Sequence, residues 1–138
     1  MDRDEFVDFV RDRGLAVVAS TGPKGTPQAA LVGVAATDLG ELVFDTTDSS
    51  RKYANIAREP EVAVVVGWDD EVTVQCEGRA DILEGDELER CRAFYFEQYP
   101  DGRERASWPG IAYIRIRPRW LRYSDYRPDS FGVSETEL

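Results

Sequence analysis

Glu61 to Leu83 reads EVAVVVGWDDEVTVQCEGRADIL, two runs rich in β-branched residues separated by Asp69-Asp70. The first run, EVAVVVGW (61–68), is so nearly continuous in apolar residues that it predicts a strand buried on both faces. The second, EVTVQCEGRADIL (71–83), alternates, with Val72, Val74 and Cys76 on one face and Thr73 and Gln75 on the other. Two strands joined by so short a polar turn form a hairpin.

Upstream, TDSSRKYANIAREP (47–60) changes period: Tyr53, Ile56 and Ala57 share a helical face, Asp48, Ser49 or Ser50 can cap it, and Pro60 ends it. Before it, ELVFDT (41–46) alternates as a strand after the Asp38-Leu39-Gly40 turn. LAVVAS (15–20) and QAALVGVAAT (28–37) are two more strands around the Gly/Pro-rich turn TGPKGTP (21–27). Residues 2–13 place Phe6, Val7, Phe9 and Val10 on one side of a helix that stops at Gly14. On the far side, DELERCRAFYFEQYP (86–100) is helical and DGRERASWPG (101–110) is a turn-rich connection. IAYIRIR (111–117) alternates, Pro118 interrupts it, WLRYSDY (120–126) is the last strand, and the closing residues read as a tail. The expectation is a mainly β (α+β) chain: a six- to seven-stranded antiparallel barrel with short flanking helices over residues 1–127, and a tail at 128–138.

Composition narrows the function. The charge is 17 − 27 = −10, which opposes attachment to nucleic acid or to an anionic membrane. Gly25–Thr37, the longest uncharged stretch with apolar character, is too short and too rich in small and polar residues to span a bilayer. The acidic start, MDRDEF, lacks the basic and apolar regions of a secretory leader and points to the cytoplasm, where Cys76 and Cys91 stay thiols and pack as small hydrophobes. There is no histidine, so imidazole-dependent Ser or Cys nucleophiles and His-ligated metals are excluded. Binding remains, or chemistry supplied by a cofactor that the protein holds and orients. Neither GxGxxG nor GxxxxGK[ST] occurs, so classical dinucleotide and P-loop sites have no support.

Asp48-Ser49-Ser50-Arg51-Lys52 lies where a strand gives way to a helix. Free N–H groups there favour an anion, a guanidinium grips phosphate oxygens in parallel, and an ammonium adds a point charge. The alternative is a solvated, well-capped helix start whose cations balance Glu59 and Glu61. Arg115, Arg117, Arg119, Arg122 and Arg127 form a second basic group, read either as a ligand-facing cluster or as partners for the surplus carboxylates. Thr73 and Gln75 can serve a cofactor wall or simply face solvent. Trp68, Trp108 and Trp120 suit a core or an interface, and Trp120 adjoins the arginines.

The order helix, hairpin, strand, then SSRKYANIAREPEVAVVVGW, EVTVQCEGRADIL and RPRWLRYSDY resembles the pyridoxamine 5'-phosphate oxidase-related, FMN-binding split-barrel family from about Phe6 to Tyr126. Its most specific part is S-R-K-x-x-N-I followed by a proline and a β-branched strand. The resemblance implies a homodimer with FMN in two interfacial clefts, oxidoreductase chemistry with a small-molecule substrate or electron donor, and phosphate held by Thr46, Thr47, Ser50, Arg51 and Lys52. It also implies that Thr73 and Gln75 face the ring or ribityl chain, while Trp120 and Arg122 approach from the other subunit. QAALVGVAAT carries no basic residue and WLRYSDY no histidine, where the vitamin B6 oxidases of the family place both, so the match points away from that substrate. Relatives that use deazaflavin F420, bind haem or lack known activity keep F420 reduction and a non-catalytic flavin-binding dimer as alternatives.

Overall fold

A computed structural model describes residues 1–138. Helix α1 (Arg3–Arg13) opens with a reciprocal capping box between Asp2 and Glu5 and stops at Gly14, whose φ of 71° suits a residue without Cβ. Strands β1 (Leu15–Thr21) and β2 (Pro27–Gly33) form the first hairpin, followed by the two-residue β3 (Ala35–Ala36) and by β4 (Leu42–Thr47). Helix α2 (Arg51–Arg58) leads into the long hairpin β5 (Glu61–Val66) and β6 (Val72–Ile82). Helices α3 (Gly85–Gln98) and α4 (Gly102–Arg105) precede β7 (Ile111–Asp125) and β8 (Gly132–Glu137).

The antiparallel path β2-β1-β5-β6-β7-β4-β3 curls into a half-barrel of seven strands, with β8 added beside β7. One edge of β7 pairs with β6 along most of its length, while the other is divided between β4 at 111–116 and β8 at 120–125. The interior is filled by alternate residues of each strand, among them Val18, Phe44, Val64, Val74, Ile114 and Leu121, and α1 contributes Phe6 and Val10. A smaller core outside the barrel packs Cys91 and Tyr95 of α3 against Ala35, Val43 and Tyr113.

That second core is tied down by buried charge. Arg115 donates to Asp81 at 3.0 and 2.8 Å, to Glu41 at 3.1 Å and to Glu87 of α3 at 3.0 Å. Arg90 grips Glu41 through two 2.9 Å bonds, and Thr37 donates to it at 2.8 Å. Burial pushes the Glu41 carboxyl up, but the bonds from Arg90 and Thr37 outweigh it and hold the group below its ordinary value.

Five expectations need correction. The stretch expected as one strand at 28–37 changes partners at Val34: β2 runs with β1, the Val34 N–H goes to the Gly14 carbonyl, and Ala35–Ala36 pair with β4. Pro118 does not divide the last two strands, because a bulge absorbs it; Glu77 faces Trp120, Gly78 faces Pro118, and β7 is continuous. Gly78 is required there, since a Cβ would lie 2.5 Å from the Arg117 carbonyl oxygen. β5 is buried on one face only, leaving Ala63 and Val65 outward and exposed. On α2, Asn55 rather than Ala57 is buried beside Ile56. The segment expected as a tail holds β8, whose residues 132–137 pair with 120–125.

Candidate functional site

The turn between β4 and α2 is built from hydroxyls. Ser50 caps α2, accepting from the Tyr53 N–H at 3.2 Å, and Thr46 donates to the same Ser50 Oγ at 2.8 Å. With both acceptor positions taken, the Ser50 O–H remains available to donate. Thr47 and Ser49 share a hydrogen bond at 3.1 Å, and the Asp48 N–H reaches the Gly110 carbonyl at 2.8 Å. The Asp48 carboxylate is packed against Gly110, whose Cβ position lies 2.5 Å from Asp48 Oδ1.

Arg51 and Lys52 follow on the first turn of α2. Together with Val18, Ser20, Gln28, Ala29 and Ala30 they line an open cleft of about 330 Å³ between α2 and the β1–β2 hairpin. Beneath it, buried Asn55 donates to Ser20 at 3.1 Å, and Arg58 bonds the Thr21 carbonyl and Asn55. Arg11, Arg13, Arg79, Arg90, Arg105, Arg115, Arg119, Arg122 and Arg127 are all paired with carboxylates. Arg51 and Lys52 have no carboxylate partner, a state they share with Arg3, Lys24, Arg58, Arg92, Arg103 and Arg117, and of these eight they are the two that line the cleft. Two uncompensated cations, a free hydroxyl donor and the unpaired N–H groups of a helix start suit a phosphate-sized anion.

The other expected residues lie elsewhere. Gln75 pairs with Arg122 and Glu77 with Trp120 across β6 and β7, which puts these side chains and Thr73 on the outer face of the sheet. Gln75 is exposed, the Thr73 hydroxyl makes a 3.4 Å contact to the Val66 carbonyl, and Arg122 binds Glu135 of β8 at 2.7 Å. Thr46 pairs with Ala112, ten residues from Arg122 along β7, roughly 30 Å of extended strand. A single chain therefore holds two separate patches. Of the second basic group, Arg115, Arg119, Arg122 and Arg127 are engaged by carboxylates and Arg117 is not.

Gln28, Ser20 and the inward turn of Asn55 were not among the residues expected at the site. Only Asn55 left a signal, as the fixed asparagine of S-R-K-x-x-N-I. Both cysteines are free and buried, and burial pushes the Cys76 thiol up to about 12 and raises Cys91 as well. No cluster of His, Cys, Asp or Glu is arranged to hold a metal, and no helix is long and apolar enough to cross a membrane.

Comparison with known proteins gives this geometry a context. The family model for pyridoxamine 5'-phosphate oxidase matches residues 2–125. A pyridoxine/pyridoxamine 5'-phosphate oxidase of Burkholderia vietnamiensis is 34% identical over 117 residues, 76% of this chain and 53% of the relative. The enzyme of the same name from Burkholderia lata is 32% identical over 66% of this chain and 41% of its own length, so the chain spans about half the length of these curated relatives. Among solved structures, a heme binding protein from Mycobacterium smegmatis superposes with a TM-score of 0.83 at 18% identity, covering 99% of this chain and 58% of the other. A conserved hypothetical protein from Mycobacterium tuberculosis gives 0.77 at 28% identity, covering 92% and 86%. Family model, sequence relatives and half-barrel topology agree: the chain belongs to the pyridoxamine 5'-phosphate oxidase family.

Proposed function

We propose that this chain is an FMN-binding oxidoreductase that works as a homodimer, with the flavin phosphate held on the first turn of α2. The observation that carries the reading is the pair Arg51 and Lys52, left without counter-charge beside Ser50 in a chain of net charge −10. The residues present fit the group. Arg51 and Lys52 supply charge, Ser50 a hydroxyl donor, the start of α2 free N–H groups, and Thr46 fixes the Ser50 rotamer. Thr47 borders the same turn.

Bound flavin supplies hydride or electron transfer; the chain's own residues bind it, orient it and limit water, and none is assigned as a general acid or base. The outer face of the sheet supports the pairing of two copies. Leu15, Leu31 and Val65 are 43%, 60% and 37% exposed there, with Val17, Ala29 and Ala63 between them. An apolar face of this kind on a small sheet favours self-association. A second copy across that face is the means by which Thr73, Gln75, Trp120 and Arg122 come to the cleft of its partner.

Two features bear on the substrate. β2 presents no basic side chain and β7 no histidine, which supports a substrate other than a vitamin B6 phosphate. The absence of histidine also favours flavin over a haem held through imidazole. The test is the double substitution Arg51→Ala with Lys52→Ala. Loss of two charge-assisted contacts, about 1.5 to 3 kcal/mol each, weakens FMN by at least about 100-fold. Unchanged affinity contradicts the phosphate assignment, and parallel titration with F420 separates the two flavin-type cofactors.

A further inference from the structure

Gln28 of β2 reaches the same cleft as Arg51. With its carboxamide oxygen turned toward the guanidinium, it accepts from Arg51 Nε at 2.9 Å and from Nη1 at 3.2 Å, with Nη2 also in contact. In this orientation its amide nitrogen lies against that of Asn55, which is 2% exposed and donates to Ser20 of β1, so the two side chains pack without a hydrogen bond between them.

The choice of partner is informative. Arg115, Arg105 and Arg127 are matched with carboxylates, whereas Arg51, like Arg58 on the same helix, meets a carboxamide oxygen. A carboxylate at position 28 would hold Arg51 equally well and cancel its charge. A carboxamide holds it and leaves the full charge for an incoming anion. An exposed arginine without such a hold would also lose several rotors on binding.

We propose that Gln28 is a positioning residue which fixes the Arg51 guanidinium toward the phosphate without neutralising it. The proposal rests on the flavin-phosphate reading and deepens it, naming an element of the site that lies outside the S-R-K turn. It predicts an order that steric support alone does not give. Gln28→Ala frees Arg51 and raises the FMN dissociation constant about tenfold. Gln28→Glu keeps the hold but pairs the charge, and raises it about 100-fold. Riboflavin, which lacks the phosphate, binds wild type and both variants within about twofold.

Three measurements test this on the full chain: titration with FMN, titration with riboflavin, and the Arg Nε–H resonance of Arg51, assigned by its loss in Arg51→Lys. In ligand-free wild type that resonance is sharp and its order parameter high; in Gln28→Ala it averages to the range of a free side chain. Equal FMN affinities in wild type, Gln28→Ala and Gln28→Glu overturn the proposal, as do parallel losses for riboflavin. An Arg51 signal unchanged by Gln28→Ala overturns it whether or not flavin binds. Failure of wild type to bind FMN, with an Arg51 signal that does respond to Gln28→Ala, instead counts against the flavin reading.

Discussion

Replacing Arg115 by methionine removes the hub of the buried charge cluster while keeping an unbranched apolar side chain in its place. The Arg115 side chain is 5% exposed and that of Glu41 8%, so the perturbation occurs where water cannot replace the lost bonds. Removing one member of a buried ion pair costs about 3 to 5 kcal/mol, because the partner is left charged and uncompensated. Here the lower end applies: Glu41 keeps both bonds from Arg90 and the one from Thr37, and Asp81, being half exposed, regains water. A loss of about 3 kcal/mol in a domain of this size lowers the melting temperature by ~10 °C. Urea unfolding at pH 7 gives the free-energy difference directly, and calorimetry gives the temperature. A decrease below ~2 °C, or a more stable variant, refutes the reasoning and makes the cluster replaceable by plain apolar packing.

Acid extends the same test. Bonds from Arg90 and then Arg115 lower the Glu87 carboxyl from its ordinary 4.5 to about 2 in the folded chain. A carboxylate with a depressed folded value contributes stability above its unfolded value and loses it as pH falls through the folded one. The contribution of Glu87 is therefore complete above about pH 4.5 and gone below about pH 2. The stability gap between wild type and Arg115→Met narrows over that interval and stays constant from pH 6 to 8.

Three further outcomes follow from named contacts. Gly78→Ala drives a Cβ against the Arg117 carbonyl at the β6–β7 bulge and destabilises by about 3 kcal/mol or more, seen as a fall in the urea midpoint; an unchanged midpoint refutes the collision. Cys76, pushed up to about 12, and Cys91 give no reaction with a thiol reagent at pH 8 while folded and two equivalents in denaturant; rapid labelling of the native chain contradicts their burial. Leu31→Asp on the exposed sheet face shifts light-scattering mass from dimer to monomer at micromolar concentration, and an unaffected mass places the dimer contact elsewhere.

Much of the sheet was legible where inward apolar residues alternate with polar ones, as in Val72, Val74 and Cys76 against Thr73 and Gln75 on β6. The errors have physical causes. A change of partner at Val34 leaves no mark in an unbroken apolar run, since both partners offer the same backbone groups. Pro118 reads as a break, yet a bulge with Gly78 opposite accommodates a residue that cannot donate. GVSETE (132–137) has one apolar side chain and pairs almost wholly through its backbone, so hydrophobic patterning does not reveal β8. For the site, Arg51, Lys52 and Ser50 stood out because charge and capping are local properties. Gln28 did not: its partner is 23 positions away in sequence, 51 − 28, and only the barrel brings the two together.

Whether the imidazole-free chain holds a flavin by its phosphate is read from the absorption spectrum of the purified protein together with mass spectrometry of what heat releases from it. Flavin bands and riboflavin 5'-phosphate at one molecule per chain are expected, or, if the protein is isolated colourless, stoichiometric uptake on titration. A chain that releases no flavin and takes up none at saturating concentration contradicts flavin binding.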